Sequence, residues 1–139
     1  MKTFYVGIKG LVVSEDHVLL LRTNKEDGRG DRWECPGGRI DDDETIEQTL
    51  LRELEEELPG IADVKIGQIL GARRLHKDID GEISLTLIYY KVEATLPDPI
   101  QLSYEHSEAA WFDVETALKK LEEDDEFIKG MLSRIKADA

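Results

Sequence analysis

The stretch Gly38 to Ile61, GRIDDDETIEQTLLRELEEELPGI, crowds carboxylates around a few apolar residues, and the remainder of the chain reads as its support. Wound at about 100° per residue, Thr45 to Leu58 makes a helix in which Ile46, Leu50, Leu54 and Leu58 form one apolar stripe facing a core. Glu53, Glu56 and Glu57 share an arc of roughly 100° on that wheel, with Glu53 and Glu57 bordering the stripe. These acids are therefore expected to face protein rather than open water. Thr45 followed by Gln48 at the third position on predicts a capping box, and Pro59-Gly60 predicts the stop. Like charges one turn apart repel, and more strongly in a crowded groove. Arg52 can neutralise one acid, with Glu44 as its expected partner. The other carboxylates need a cation, and all-oxygen donors suit Mg²⁺ or Mn²⁺.

Gly38, then Glu44, then the run Arg52-Glu53-Leu54-Glu55-Glu56-Glu57 resembles the Nudix box, G-x5-E-x7-R-E-U-x-E-E-x-G-U. Every fixed position through Glu57 matches, a spacing that a merely solvated acidic helix does not require. Pro59 stands at the family's glycine position and Gly60-Ile61 follow one residue late. This reads as a slightly longer helix-ending turn that alters the loop and leaves the acidic cluster in place. Trp33-Glu34-Cys35-Pro36-Gly37-Gly38 likewise resembles the lead-in to the box, where glycines let the backbone approach a ligand closely.

The resemblance covers nearly the whole chain. It implies a single domain over residues 1–139, a Nudix-type α/β/α sandwich with a mixed central sheet. It also implies metal-dependent hydrolysis of a nucleoside diphosphate linked to another moiety. Under the family pattern Glu53, Glu56 and Glu57, with the backbone carbonyl of Gly38, hold Mg²⁺, with Mn²⁺ as the alternative. Arg52 and Glu44 orient those ligands. Glu105 to Phe112 resembles the late segment that often supplies a further ligand or general base, with Glu108 the first candidate and Glu105 the second.

Composition bounds the rest. A 139-residue chain fits one ordinary domain, and 40% hydrophobic content opposes disorder despite 35% charged residues. No apolar run approaches the roughly twenty residues of a membrane span. Ser14-Glu15-Asp16 interrupts the early apolar run before it could serve as a secretory core, so a cytoplasmic protein is expected. Cys35 is the single cysteine and reads as a packing residue. A net charge of −13 opposes a nucleic-acid polymer as partner, because phosphates need a basic surface. A small-molecule nucleotide meets the same repulsion, so acidity and phosphate chemistry are compatible through metal alone.

Taken in order, Phe4 to Val13 and Val18 to Leu21 predict a β-hairpin about Ser14-Glu15-Asp16. Arg22 to Arg32 is wholly polar with two glycines and predicts a loop. Its Arg22, Lys25, Arg29 and Arg32 are candidates for substrate phosphate or ribose. The plainer reading is solvated charges balanced by Glu26, Asp27 and Asp31. Trp33 reads as packing rather than as a base-stacking platform. Val64 to Leu75 and Ile83 to Val92 predict strands about an Asp80-Gly81 turn, and His76, without a second His or Cys at ligand spacing, reads as exposed. Glu93 to Gln101 predicts a connection. Asp113 predicts a cap for a helix over Val114 to Leu121, and Phe127, Ile128, Met131, Leu132 and Ile135 predict a last helix after an acidic linker.

The expected activity is hydrolysis of a nucleoside triphosphate or a nucleotide-sugar-like diphosphate, since neither the ADP-ribose, the dinucleoside-polyphosphate nor the coenzyme A pattern is matched. The alternatives are a non-catalytic nucleotide sensor on the same fold and an acidic scaffold for a basic partner protein. No stretch marks an oligomer interface.

Overall fold

The structure, a computed structural model, describes residues 3–24, 31–79, 83–121 and 126–137. Lys25, Arg29, the Asp80-Gly81 turn, residues 122–125 and the side chains of His76 and Lys77 lie outside that description.

Alternation along the first two strands sets the layers. In β1 (Thr3–Ser14), Ile8 and Val12 pack with Leu50, Leu54 and Leu58 on and just after α1 (Ile46–Glu57). Leu11 and Val13, pointing the other way, pack with Ile128, Met131, Leu132 and Ile135 of α3 (Glu126–Ala137). β2 (His17–Thr23) divides likewise, Leu19 and Leu21 toward α1, Val18 and Leu20 toward α3. A sheet so covered on both faces is the sandwich that the resemblance implies. Each fully buried leucine contributes about 2 kcal/mol.

β1 runs parallel to β6 (Ile83–Thr95), with Thr3 opposite Ile83 and Val12 opposite Val92, and β6 pairs antiparallel with β5 (Ala62–Ile79). The mixed sheet was expected; the parallel β1–β6 pairing joins strands with no local signal for each other. The predicted hairpin forms but parts early, because β1 and β2 pair through Val13–Val18 and Ser14–His17. The segment after the loop enters the fork between them. Its β3 (Trp33–Glu34) pairs with β2, and its β4 (Gly37–Arg39) pairs with Gly7, Ile8 and Lys9 of β1. Cys35-Pro36 spans the gap, and Gly10 N–H donates to the Pro36 carbonyl at 2.9 Å.

β7 (His106–Asp113) pairs along β2, placing Glu108 opposite Arg22. Arg22 and Thr23 therefore belong to a strand, where polarity alone predicted loop. Thr23 and Arg32 are joined by Thr23 N–H to the Arg32 carbonyl at 2.8 Å and by Arg32 N–H to Thr23 Oγ1 at 3.0 Å. β6 likewise continues past Val92 to Thr95. Asp113 caps α2 (Val114–Lys120), accepting from Thr116 N–H at 2.8 Å. No described helix is long and apolar enough to cross a membrane.

Candidate active site

The capping box predicted for α1 is present in both directions. Gln48 N–H donates to Thr45 Oγ1 at 3.1 Å, and Thr45 N–H donates to Gln48 Oε1 at 2.9 Å. At the other end Leu58 caps the helix and Gly60 takes φ +87, so Pro59-Gly60 does form the terminating turn. This fixed helix presents its acids in three different environments.

Glu57 is 2% exposed and lies under the β3–β4 segment, where its Oε2 accepts from Gly37 N–H at 2.7 Å. Gly37 has φ +141, and a Cβ there would sit 2.1 Å from the Ile8 carbonyl oxygen, so glycine alone fits. Burial pushes the Glu57 carboxyl up to about 8, with Glu53 and Glu105 adding to the rise and Lys9 and the Gly37 N–H opposing it. Glu53 is also raised, first by burial, against the neighbouring Arg52. A Cβ on Gly38 would meet the Glu53 carboxylate at 2.3–2.6 Å, so this glycine keeps open the space that carboxylate occupies. Glu56 departs from expectation. Its side chain is 54% exposed, because it lies farther round the wheel from the leucine stripe than its neighbours do.

Arg52 and Glu44 behave as a paired support. Arg52 donates from Nε and Nη2 to the two Glu44 oxygens at 2.6 and 2.9 Å, a two-pronged ion pair. Its Nη1 donates to Glu53 at 2.9 Å and reaches Glu56 at 3.4 Å. Glu44 also accepts from Asp41 N–H and Thr49 Oγ1, both at 3.1 Å. The Arg52 bond, ahead of these others, lowers the Glu44 carboxyl to about 2. One guanidinium thus serves three carboxylates of the box, and Glu57 is served elsewhere.

The two candidate acids of the late segment, Glu108 and Glu105, stand in different surroundings. Glu108 is engaged by Arg22 Nη1 at 3.2 Å, while Arg22 Nε and Nη2 hold Asp31 at 2.6 and 2.8 Å. Glu105 is the carboxylate of this segment whose field raises both Glu53 and Glu57. Its carbonyl accepts from the N–H of Asn24, just past the end of β2, at 3.0 Å, and two residues earlier Ser103 N–H reaches the Glu57 carbonyl at 3.4 Å.

Lys9, Glu34 and His106 carry no signal in the box pattern. Glu34, Glu57 and His106 each bring one potential ligand atom within 4.8 Å of the others. His106 is 4% exposed, its Nε2 is 2.8 Å from Glu34 Oε2, and its Nδ1 is buried with no hydrogen-bond partner. Lys9 donates from Nζ to the Cys35 carbonyl at 3.1 Å and lies close enough to oppose the rise of Glu57. The alternation of β1 and β7 could have shown that Lys9 and His106 point inward, but not what they meet. Beside them opens a cavity of about 420 Å³, whose wall includes Lys9, Arg32, Glu34, Arg73, Leu87 and Tyr89, a size suited to a small organic ligand. Trp33 also lines it and packs edge-on against Phe112, with ring centroids 5.1 Å apart.

Comparison with known proteins agrees with this geometry. Against the "8-oxo-dGTP diphosphatase" of Proteus vulgaris the chain is 35% identical over 57 residues, 41% of this chain and 51% of that protein, so it spans about half the length of this curated relative. The MutT protein of Methanosarcina mazei Go1 superposes with a TM-score of 0.76 at 24% identity, covering 99% of this chain and 96% of that one. The ORF135 protein of E. coli gives a TM-score of 0.76 at 20% identity, with 98% and 94% covered. At these identities the two structures speak for the fold. The NUDIX domain family model matches residues 3–134, and the chain belongs to that family.

Proposed function

We propose that the protein is a divalent-metal-dependent pyrophosphohydrolase that cleaves the phosphoric anhydride of a nucleoside diphosphate derivative. The observation that carries this reading is the state of the α1 carboxylates. Glu53 and Glu57 are withdrawn from water and raised in pKa, while Arg52 is shared among Glu44, Glu53 and Glu56. Keeping such groups together costs stability unless a cation joins them. The donors are carboxylate oxygens, those of Glu53 packed against Gly38, and an all-oxygen set of this kind fits a hard divalent ion, Mg²⁺ first and Mn²⁺ second. Glu53, Glu56 and Glu57, with the Gly38 carbonyl, would hold it. Such an ion supplies charge neutralisation to phosphoryl oxygens and acidifies water.

The chain's own residues do the remaining work. Arg52 and Glu44 fix the Glu53 and Glu56 carboxylates in orientation. Of the two late acids, Glu105 is the better supported as general base, since its field reaches both Glu53 and Glu57. Lys9 and Arg32 line the adjacent cavity, which we assign to the base or the variable moiety. The substrate class is a nucleoside triphosphate or a nucleotide-sugar-like compound. The Proteus vulgaris relative lends support to the triphosphate.

A panel of nucleoside triphosphates including 8-oxo-dGTP, nucleotide sugars, ADP-ribose and diadenosine polyphosphates, assayed with Mg²⁺ and with Mn²⁺, tests this. Turnover of at least one class is expected, abolished by EDTA and lowered roughly 100-fold or more in Glu56→Gln and Glu57→Gln. Full activity in EDTA, undiminished turnover in both variants, or nucleotide binding without product would overturn it.

A further inference from the structure

A second concavity, of about 510 Å³, adjoins the first and shares Arg32 and Trp33 with it. Its lining is Arg22, Asp31, Arg32, Trp33, Thr116, Lys119 and Lys120, four cations against one carboxylate in a chain of net charge −13. Arg22 is committed to two carboxylates, Asp31 and Glu108, so it offers the pocket no spare positive charge. What remains is Arg32, which reaches Glu34 at a loose 3.8 Å, and the two lysines of the last turn of α2. Lysines there complement the helix dipole wherever they point. Dipole compensation does not explain why Lys120 Nζ is held over two rings, 5.9 Å from the Trp33 centroid and 5.7 Å from that of Phe112, on the wall that Arg32 shares. Neither lysine forms an ion pair with a carboxylate among the described residues.

We propose that this basic pocket is a second phosphate subsite, taking a phosphate group borne on the far end of the substrate or supplied as a free inorganic anion. Three cationic side chains line a concavity with ample room for one or two phosphates, and ring contacts hold one ammonium in place. The substrate-borne form rests on the pyrophosphohydrolase reading; the free-anion form does not.

The two are separated by working first without metal. In EDTA the box carboxylates repel anions, so uptake of inorganic pyrophosphate, followed by calorimetry, reports on the basic pocket. Saturable, salt-sensitive binding is expected, weakened about tenfold in Lys119→Gln/Lys120→Gln and retained in Lys119→Arg/Lys120→Arg. No saturable uptake, or equal affinity in the glutamine variant, overturns the proposal whatever the enzyme hydrolyses. The second arm uses Mg²⁺ and two matched nucleoside diphosphate esters, one ending in a phosphate monoester and one in a free hydroxyl. A KM raised about tenfold for the monoester alone, at unchanged kcat, marks the substrate-borne form. Equal KM changes for both esters, with pyrophosphate uptake still lost, mark the free anion. Absence of all hydrolysis sinks the enzyme reading and leaves the EDTA titration to decide the subsite.

Discussion

Glu57 is a carboxyl that folding holds against its own ionisation. Its ordinary value is 4.5 and its folded value about 8, so between them the folded protein keeps a proton that the unfolded chain has lost. Stability contributed by this group is full at acid pH and drains away as pH rises through that window, by up to about 1.4 kcal/mol per pH unit. A bound divalent ion favours the ionised form and opposes the loss. In EDTA the melting temperature of the wild type should therefore fall more steeply from about pH 5 to about pH 8 than that of Glu57→Gln, and Mg²⁺ should narrow the difference. Parallel melting curves with and without Mg²⁺ would rule this out. The groups gathered around Glu57 show the limit of reading residues alone. Glu53, Glu56 and Arg52 follow from helical spacing, whereas Lys9, Glu34 and His106 reach Glu57 from three strands, and no single strand's pattern says which others will meet it.

Between elements, β1 and α1 both close on the glycines of β4. At Gly38 the obstruction to a Cβ is the end of the Glu53 side chain, which can swing away; at Gly37 it is the Ile8 backbone, which cannot. The two glycine-to-alanine changes should separate. Gly38→Ala is expected to keep most of its melting temperature and lose roughly 10- to 100-fold in Mg²⁺ affinity and turnover. Gly37→Ala is expected to lower the melting temperature itself, because φ +141 is closed to alanine. The same loss of stability in both would refute the distinction. The helix was legible because its signals are local: the Thr45–Gln48 box, the leucine stripe and Pro59-Gly60 all lie within a few turns. Arg22 was misplaced because polarity resembles loop until the Glu108 pairing across β7 is known. The β5 edge is broken by register shifts, as at Ile66–Ile69 and Ile69–Gly71, which disfavour pairing with a further strand despite the 54% exposure of Ile69.

Across the whole molecule, the family resemblance implied a sheet covered on both faces, and the alternating Val, Ile and Leu of β1 and β2 fill both. Strand order was beyond that alternation, because hydrogen-bond partners are chosen by global closure rather than by sequence neighbours. The β1–β6 register has a consequence in time. A chain emerging from the ribosome has made its first strand, and most of the carboxylate helix, long before the parallel partner at Ile83 to Val92 exists. Until then the apolar face of β1 has neither its lateral partner nor α3, and the acids of α1 have no walled site to occupy. Assembly should thus wait on the second half of the chain, with loop-closure entropy met late. Pulse proteolysis of nascent chains should find protection of β1 appearing after residue 95 has cleared the exit tunnel, and early protection of shorter chains would contradict it. Under the proposed reading, metal competence is then a late acquisition, so that the growing chain presents no finished carboxylate cage until its fold is nearly complete.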